Sequence, residues 1–244
     1  MEKPRDPKPM TAQEWDLTYR CGDPVWDEPP TAPLARLLTW HAPPPEDVID
    51  VGCGLGSTAR WLAERGYRVT GCDFSPRAIA LARARTPEGL TVRFTTADVT
   101  HVPPRLGPFP VALERGVLHA LPQMTDRRHF VAAMARVCLP GGLWIHVGAS
   151  APTVKTEFSQ VRGPSRMAEP TFLALVAPHF TVLEIDYAPF GSRSATWQAR
   201  HAVLRRHAPP GPPSRASQLS QEFRQRNSSS AGPRQRAHGG AAEP

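Results

Sequence analysis

Apolar and polar positions along the chain alternate between two rhythms. Short runs rich in β-branched and apolar residues, which suit strands, recur at Val48–Val51, Tyr67–Cys72, 90–100, Val111–Leu113, 143–150, 180–190 and 194–206. Between them lie stretches with the spacing of an amphipathic helix: Leu34–Trp40, 58–65, a segment opened by Ser75-Pro76, a segment opened by Thr125, and Thr171–Ala177. Ser75 followed by Pro76 reads as an N-cap and first helical position. In the helix after Thr125, Phe130, Val131, Met134, Val137 and Cys138 form one broad face, and Pro140-Gly141-Gly142 then breaks it. Strands alternating with helices predict an α/β fold: a Rossmann-like, seven-stranded, mostly parallel sheet with helices on both faces, in one domain.

The best-marked stretch is VIDVGCGLGS, residues 48–57. A buried strand runs into Gly52, Gly54 and Gly56, whose missing Cβ atoms permit positive φ and close approach of a ligand to the main chain. Ser57 is expected to cap the helix that follows. A strand, a glycine turn and a helix start together make a nucleotide-type pocket. A dinucleotide fingerprint requires glycine where Ser57 stands. Asp50 at the strand end suits a ligand bearing positive charge better than a pyrophosphate. Asp73 closes the second strand, 17 residues after Gly56, a distance at which an acid accepts hydrogen bonds from both ribose hydroxyls.

Asp50-x-Gly52-Cys53-Gly54-x-Gly56 resembles motif I of the class I S-adenosylmethionine-dependent methyltransferases. The resemblance implies a cofactor with an ammonium and a sulfonium. It places Asp50, Gly52, Gly54 and Gly56 around that cofactor, Asp73 and its neighbour Phe74 at the ribose, and Asp98 with Val99 at the adenine. Tyr19-x-x-Gly22-x-x-x-Trp26-Asp27, before a proline-rich run, resembles the entrance segment of the thiopurine methyltransferase-like and related small-molecule branch. That likeness makes residues 14–30 an arm over cofactor and acceptor, with Trp15, Tyr19 and Trp26 in its wall. Glu-Arg-Gly-x-Leu-His-x-Leu-Pro from Glu114, then Asp126-Arg127, then Arg-Val-x-x-Pro-Gly-Gly from Arg136, matches the same branch, although that branch has Asp where Glu114 stands. Glu114, Arg115 and His119 are therefore the candidates beside the acceptor, with Glu114 also at the cofactor. Arg115 would stabilise an anionic acceptor, and His119 would deprotonate a neutral one. The expected reaction is in-line methyl transfer to a small molecule, a thiol or another soft nucleophile, in which positioning supplies most of the catalysis.

Charge changes this picture little. The net charge is +7, and residues 209–244 hold five of the arginines against two glutamates. The remaining excess is diffuse and is not a nucleic-acid footprint. No Asn/Asp-Pro-Pro-aromatic signature follows the fourth strand, which argues against a nucleic-acid or protein methyltransferase of this fold. A non-catalytic or nicotinamide-binding, Rossmann-like nucleotide-binding protein is the other alternative. Four scattered cysteines, Cys21, Cys53, Cys72 and Cys138, lack metal-ligand spacing and read as reduced thiols, so no metal and a cytoplasmic setting are expected. MEKPRDPKPM has no apolar core and no run reaches the ~20 residues of a membrane helix. The expected organisation is a disordered 1–13, a catalytic domain over 14–208 and a disordered tail from 209, acting as a monomer without membrane or nucleic acid. Substrate specificity is expected in a variable insert over 149–170 carrying Lys155, Arg162, Gly163, Pro164, Ser165 and Arg166.

Overall fold

The computed structural model describes residues 10–20, 22, 24, 26–101, 106–152, 165–191 and 198–208. Lys155, Arg162, Gly163, Pro164, Trp197, Cys21 and the two termini lie outside them. The described residues up to His207 form one compact unit.

Two helices lead in: α1 (Ala12–Thr18), opened by a reciprocal Thr11–Glu14 capping box, and α2 (Ala32–His41). The alternating part is β1 (Asp47–Val51), α3 (Ser57–Ala63), β2 (Arg68–Asp73), α4 (Pro76–Ala84), β3 (Val92–Thr96), a 3₁₀ turn at Val99–His101, β4 (Phe109–Arg115), α5 (Val117–Ala120), α6 (Met124–Val137) and β5 (Cys138–Ala151). Then come β6 (Met167–Ala168), α7 (Glu169–Val176), β7 (Phe180–Pro189) and β8 (Gln198–Arg206). The strand order is β3-β2-β1-β4-β5-β8-β7, with the two-residue β6 paired to β5. β3, β2, β1, β4 and β5 pair in parallel, and β8 lies antiparallel to both its neighbours. The expected α/β sheet is therefore present, with an eighth short strand inside the segment read as a variable insert.

Each face of the sheet carries its own apolar layer. On one, Ile49, Ala112, Trp144 and Leu204 pack with Phe130 and Met134 of α6 and Phe172 of α7. On the other, Val48, Leu113, Ile145 and Val203 pack with Leu34, Leu37 and Leu38 of α2, Leu62 of α3 and Ile79 of α4. Polar groups on the strands are held between these layers, where an unpaired charge is costly.

Several local expectations need correction. Gly56, at φ +79°, takes the N-cap of α3, and Ser57 instead donates from Oγ to the Glu28 carbonyl at 3.1 Å. α6 begins at Met124 after a Gln123 N-cap, so Thr125 lies inside it. β3 stops at Thr96, leaving Asp98 in the loop beyond, where its Oδ1 accepts from the Thr100 amide at 2.9 Å. β4 runs through Glu114 and Arg115, and the turn begins at Gly116, φ +96°. β5 starts at Cys138 and passes through Pro140-Gly141-Gly142 rather than after them. Ser75 is an N-cap as expected, accepting from the Ala78 amide at 2.9 Å.

Candidate active site

β1 lies between β2 and β4, so the chain's strand order reverses at this point. In open α/β sheets the crevice beyond the strand ends at such a switch is where ligands bind. The glycine turn leaves β1 there. Gly52 and Gly54 have φ of +67° and +52°. A Cβ on Gly52 would lie 2.2 Å from Val117 Cγ2, so this backbone abuts the start of α5. A Cβ on Gly54 would lie 3.3 Å from the Tyr19 hydroxyl, which places the N-terminal arm directly on the turn.

Two acids stand beneath or beside the turn. Asp50 is 2% exposed, and its Oδ2 is buried without a hydrogen-bond partner. Burial pushes its carboxyl up to about 7; Arg115 opposes that rise, while Asp73 and Glu114 add to it. Asp73 accepts from the Gly54 amide through Oδ2 at 3.0 Å and from the Ser75 amide through Oδ1 at 2.9 Å. Burial still raises its carboxyl to about 6 against those two hydrogen bonds. Phe74 follows it, half-buried, while Asp98 is exposed and Val99 is buried in its 3₁₀ turn.

Glu114 and Arg115 are adjacent in sequence but point to opposite faces of the sheet. Arg115 shares Asp50's face. Its Nη2 donates to the carbonyls of Trp26 and Glu28, both at 2.7 Å, and its Nη1 is buried without a partner. Burial lowers its pKa while Asp50, Glu28 and Asp27 hold it up. The arm is tied down elsewhere too: Asp16 accepts from Ser75 Oγ, and Asp27 pairs with Arg85 at 3.1 Å. Within it, Trp15 packs on Tyr19 and Trp26, with ring centroids 6.0 Å apart in each pair. Burial raises the Tyr19 hydroxyl pKa, with Asp73 adding to the effect, so the phenol stays protonated.

Glu114 is fully buried on the other face. Its Oε2 accepts from the amides of Val117 and Leu118, at 3.0 and 3.3 Å, and its Oε1 bonds His146 Nδ1. His119, half-buried, accepts from the Ala149 amide at Nδ1 at 2.9 Å. Burial, then His146 and Arg127, push its pKa down to about 3. The ring is therefore neutral, with its proton on Nε2. It lies 5.2 Å from Phe190, which in turn sits 5.8 Å from the Arg115 guanidinium carbon. The candidate residues thus fall into two groups joined across α5. Asp50, Gly52, Gly54, Gly56, Asp73, Arg115, Tyr19 and Trp26 surround the turn. His119 lines a small pocket with His146, Met167 and Arg200, and Glu114 stands behind it, bonded to His146 Nδ1. Asp98 and Val99 stand at the far end, past β3.

A profile described as a methyltransferase domain matches residues 48–142. An uncharacterised methyltransferase of Schizosaccharomyces pombe is 30% identical over 122 residues, covering 50% of this chain and 83% of that one. The chain belongs to the class I S-adenosylmethionine-dependent methyltransferases. A 2-heptyl-1-hydroxyquinolin-4(1H)-one methyltransferase of Mycobacteroides abscessus is 32% identical over 144 residues, 58% of this chain and 62% of that protein's length. The match therefore spans less than two thirds of that relative. In fold, the chain resembles the Burkholderia thailandensis 1,6-didemethyltoxoflavin-N1-methyltransferase solved with bound 1,6-didemethyltoxoflavin and S-adenosylhomocysteine: TM-score 0.62, 23% identity, 80% of this chain and 87% of that one.

Sequence reasoning missed His146 and Arg200. Both are polar residues inside otherwise apolar strands, and a polar side chain at a strand position facing the core is itself a signal. It went unread because their partners are remote in sequence.

Proposed function

We propose that this chain transfers the methyl group of S-adenosylmethionine to a small-molecule nucleophile, and that it does so as a member of the thiopurine methyltransferase-like, small-molecule branch. One observation carries the reading. Beside the glycine turn, a buried carboxylate oxygen of Asp50 and a buried guanidinium nitrogen of Arg115 both lack partners. Unpaired buried charges are costly in a folded chain unless a ligand completes them. An amino acid moiety, with an ammonium and a carboxylate, supplies one group for each. The residues present therefore fit the cofactor. Asp50 would hold its ammonium, Arg115 its carboxylate, Gly52 and Gly54 the close approach of its backbone, Asp73 the ribose, and Phe74, Asp98 and Val99 the adenine.

When bound, S-adenosylmethionine provides a methyl group already activated by a sulfonium. The protein's tasks are then to bind, align and exclude water. Tyr19 and Trp26 close the turn from above, and Arg115 holds that closure in place through the Trp26 and Glu28 carbonyls. Glu114 fixes the start of α5, which separates the turn from the pocket where the acceptor would enter. A thiol or other soft nucleophile could react as its anion without a base. The relatives' names include a hydroxyquinolone methyltransferase, which widens the acceptors worth testing to ring hydroxyls. We further place the enzyme in the cytoplasm as a monomer, with 14–208 as its catalytic domain. Among the described residues no helix is long and apolar enough to cross a membrane.

Calorimetry with S-adenosylmethionine, S-adenosylhomocysteine and NAD tests the cofactor. Binding of NAD with no response to the other two refutes the reading. A panel of thiols, thiopurines, halides and phenols with labelled cofactor then finds the acceptor.

A further inference from the structure

We propose that His146, oriented by Glu114, is the general base of this enzyme, and that the pocket it borders receives the hydroxyl-bearing edge of an aromatic or heteroaromatic acceptor, a phenol or a ring enol. The inference rests on the methyl-transfer reading above and names the substrate class of that site.

The geometry engages Nδ1 and turns Nε2 away from Glu114. Glu114 uses Oε2 to accept two backbone amides, Val117 at 3.0 Å and Leu118 at 3.3 Å, and turns Oε1 to His146 Nδ1. A carboxylate with these partners accepts, so Nδ1 donates to it, and in the neutral ring the lone pair then lies on Nε2. The lone-pair side of the ring is kept clear by Gly148. A Cβ there would lie 2.6 Å from His146 Cε1 and 2.8 Å from Nε2. His146 is held flat by Phe172, stacked at 4.8 Å and 24°, and edge-on by Trp144 at 5.8 Å. The ring is thus set by a charge partner on one edge and by aromatic packing on its faces, with its basic nitrogen at the pocket.

The charged and titratable groups around it suit an oxygen anion. Arg200 of β8, over Phe172 at 4.5 Å, lines the same pocket from the strand paired with β5. His119 of α5 is neutral and carries its proton on Nε2. Arg127 of α6 and His201 of β8 act on these imidazoles from beyond the pocket wall. Two donors or cations and one imidazole nitrogen suit a hydroxyl that is losing its proton. A thiol needs no such base at neutral pH. An aliphatic alcohol is too weak an acid for imidazole. A phenol, with a pKa near ~10, lies within a few units of imidazole near ~6.5. The pocket is small, so the hydroxyl edge enters and the rest of the ring stays outside. In the step proposed, the acceptor O–H bond breaks and its proton passes to His146 Nε2. The oxygen's electron pair forms the new O–CH₃ bond, and the C–S bond breaks with its pair returning to sulfur.

The test uses the full chain with S-adenosylhomocysteine bound and p-nitrophenol as the acceptor probe, followed by absorbance. The bound probe should ionise at a pH clearly below that of free probe. His146→Gln should abolish that shift, leave S-adenosylhomocysteine affinity within about threefold, and lower turnover of phenolic acceptors by roughly a hundredfold or more. Gly148→Ala, which pushes a methyl against the ring, should lose the shift as well. Because a buried variant can fail to fold, the wild type is also read directly. Long-range ¹H–¹⁵N spectra of histidine-labelled protein should show His146 protonated at Nδ1 and bare at Nε2. Glu114→Gln should redistribute that tautomer, the signature of a positioning residue. A proton on Nε2 in the wild type, or a probe shift that survives His146→Gln, overturns the inference while leaving the cofactor reading intact. Failure to bind S-adenosylhomocysteine at all overturns the cofactor reading instead.

Discussion

Asp50 gives the sharpest quantitative prediction. Its carboxyl is raised from the ordinary 3.8 to about 7, first by burial. An unfolded chain releases that proton near 3.8, so between about pH 4 and pH 7 the folded state binds more protons than the unfolded one. Stability is therefore fully present below about pH 4 and is lost as pH rises through about 7. At roughly 1.4 kcal/mol per pKa unit, the ligand-free enzyme should lose about 4 kcal/mol through this group by pH 8. The attraction of Arg115 is already contained in that figure. Asp50→Asn keeps the shape and removes the charge, so the variant should escape the loss. For a chain of this size the difference amounts to roughly 10 °C in Tm. The assay is thermal melting of both proteins from pH 4 to 8, without ligand and with saturating S-adenosylhomocysteine. Without ligand, Asp50→Asn should melt above the wild type at pH 8 and level with it at pH 4. With ligand the order should reverse, because the variant has lost the proposed partner of the ligand's ammonium. Asp73 titrates in the same direction, up to about 6, but it is present in both proteins and cancels in the comparison. If the ligand-free variant melts below the wild type at pH 8, Asp50 is a structural brace and the argument from its unpartnered oxygen collapses.

Other perturbations separate cofactor binding from folding. Asp73→Ala loses the acceptors of the Gly54 and Ser75 amides, so it should lower Tm and also weaken S-adenosylhomocysteine binding at least tenfold, at about 1.5–3 kcal/mol per bond; normal binding by the folded variant, measured by calorimetry, would remove Asp73 from the site. Arg115→Met releases the carbonyls of Trp26 and Glu28, so amide exchange over residues 12–30 should quicken and labelled methyl transfer should fall; unchanged exchange would show that the arm is held by its aromatic contacts alone. Truncation after Ala208 removes a segment rich in Pro, Ser, Gly and Arg, so Tm and turnover should stay the same, and a tenfold loss of activity would make that segment part of the site.

The sequence disclosed what is local. The glycine turn, the acid at the end of β2 and the Ser75 cap each depend on residues a few positions apart, and each stands where expected. The helix start at Gly56 was misplaced because two neighbouring residues could both cap, and the backbone there needs φ +79°, which favours glycine. The sequence pattern ends the fourth strand at Leu113, with Glu114 and Arg115 beyond its carboxyl end. In the fold they are strand residues, made tolerable by partners 32 and 89 positions away. No local signal announces such a pairing. The same limit hid His146 and Arg200. It also made His119 look like the candidate base, when the Ala149 amide occupies its Nδ1.

These non-local pairs explain why so much charge is buried at the carboxyl ends of the central strands. Glu114 and Asp73 are each satisfied by protein groups, and those bonds set the geometry of α5 and of the glycine turn. Asp50 and Arg115 are each left with one polar atom unsatisfied, on the same face and beside the same turn. A sequence selected only for stability would replace that pair with apolar residues, because a half-satisfied buried pair is worse than none. Their retention at the switch point, where the chain could most easily fill the space, makes the cost intelligible as preorganisation: charges fixed before the ligand arrives need not be reoriented when it binds. On the reading proposed above, the fully satisfied carboxylates build the site and the partly satisfied pair would receive the ligand. Neutralising Asp50 should accordingly raise stability and lower affinity together, whereas removing Asp73 should lower both.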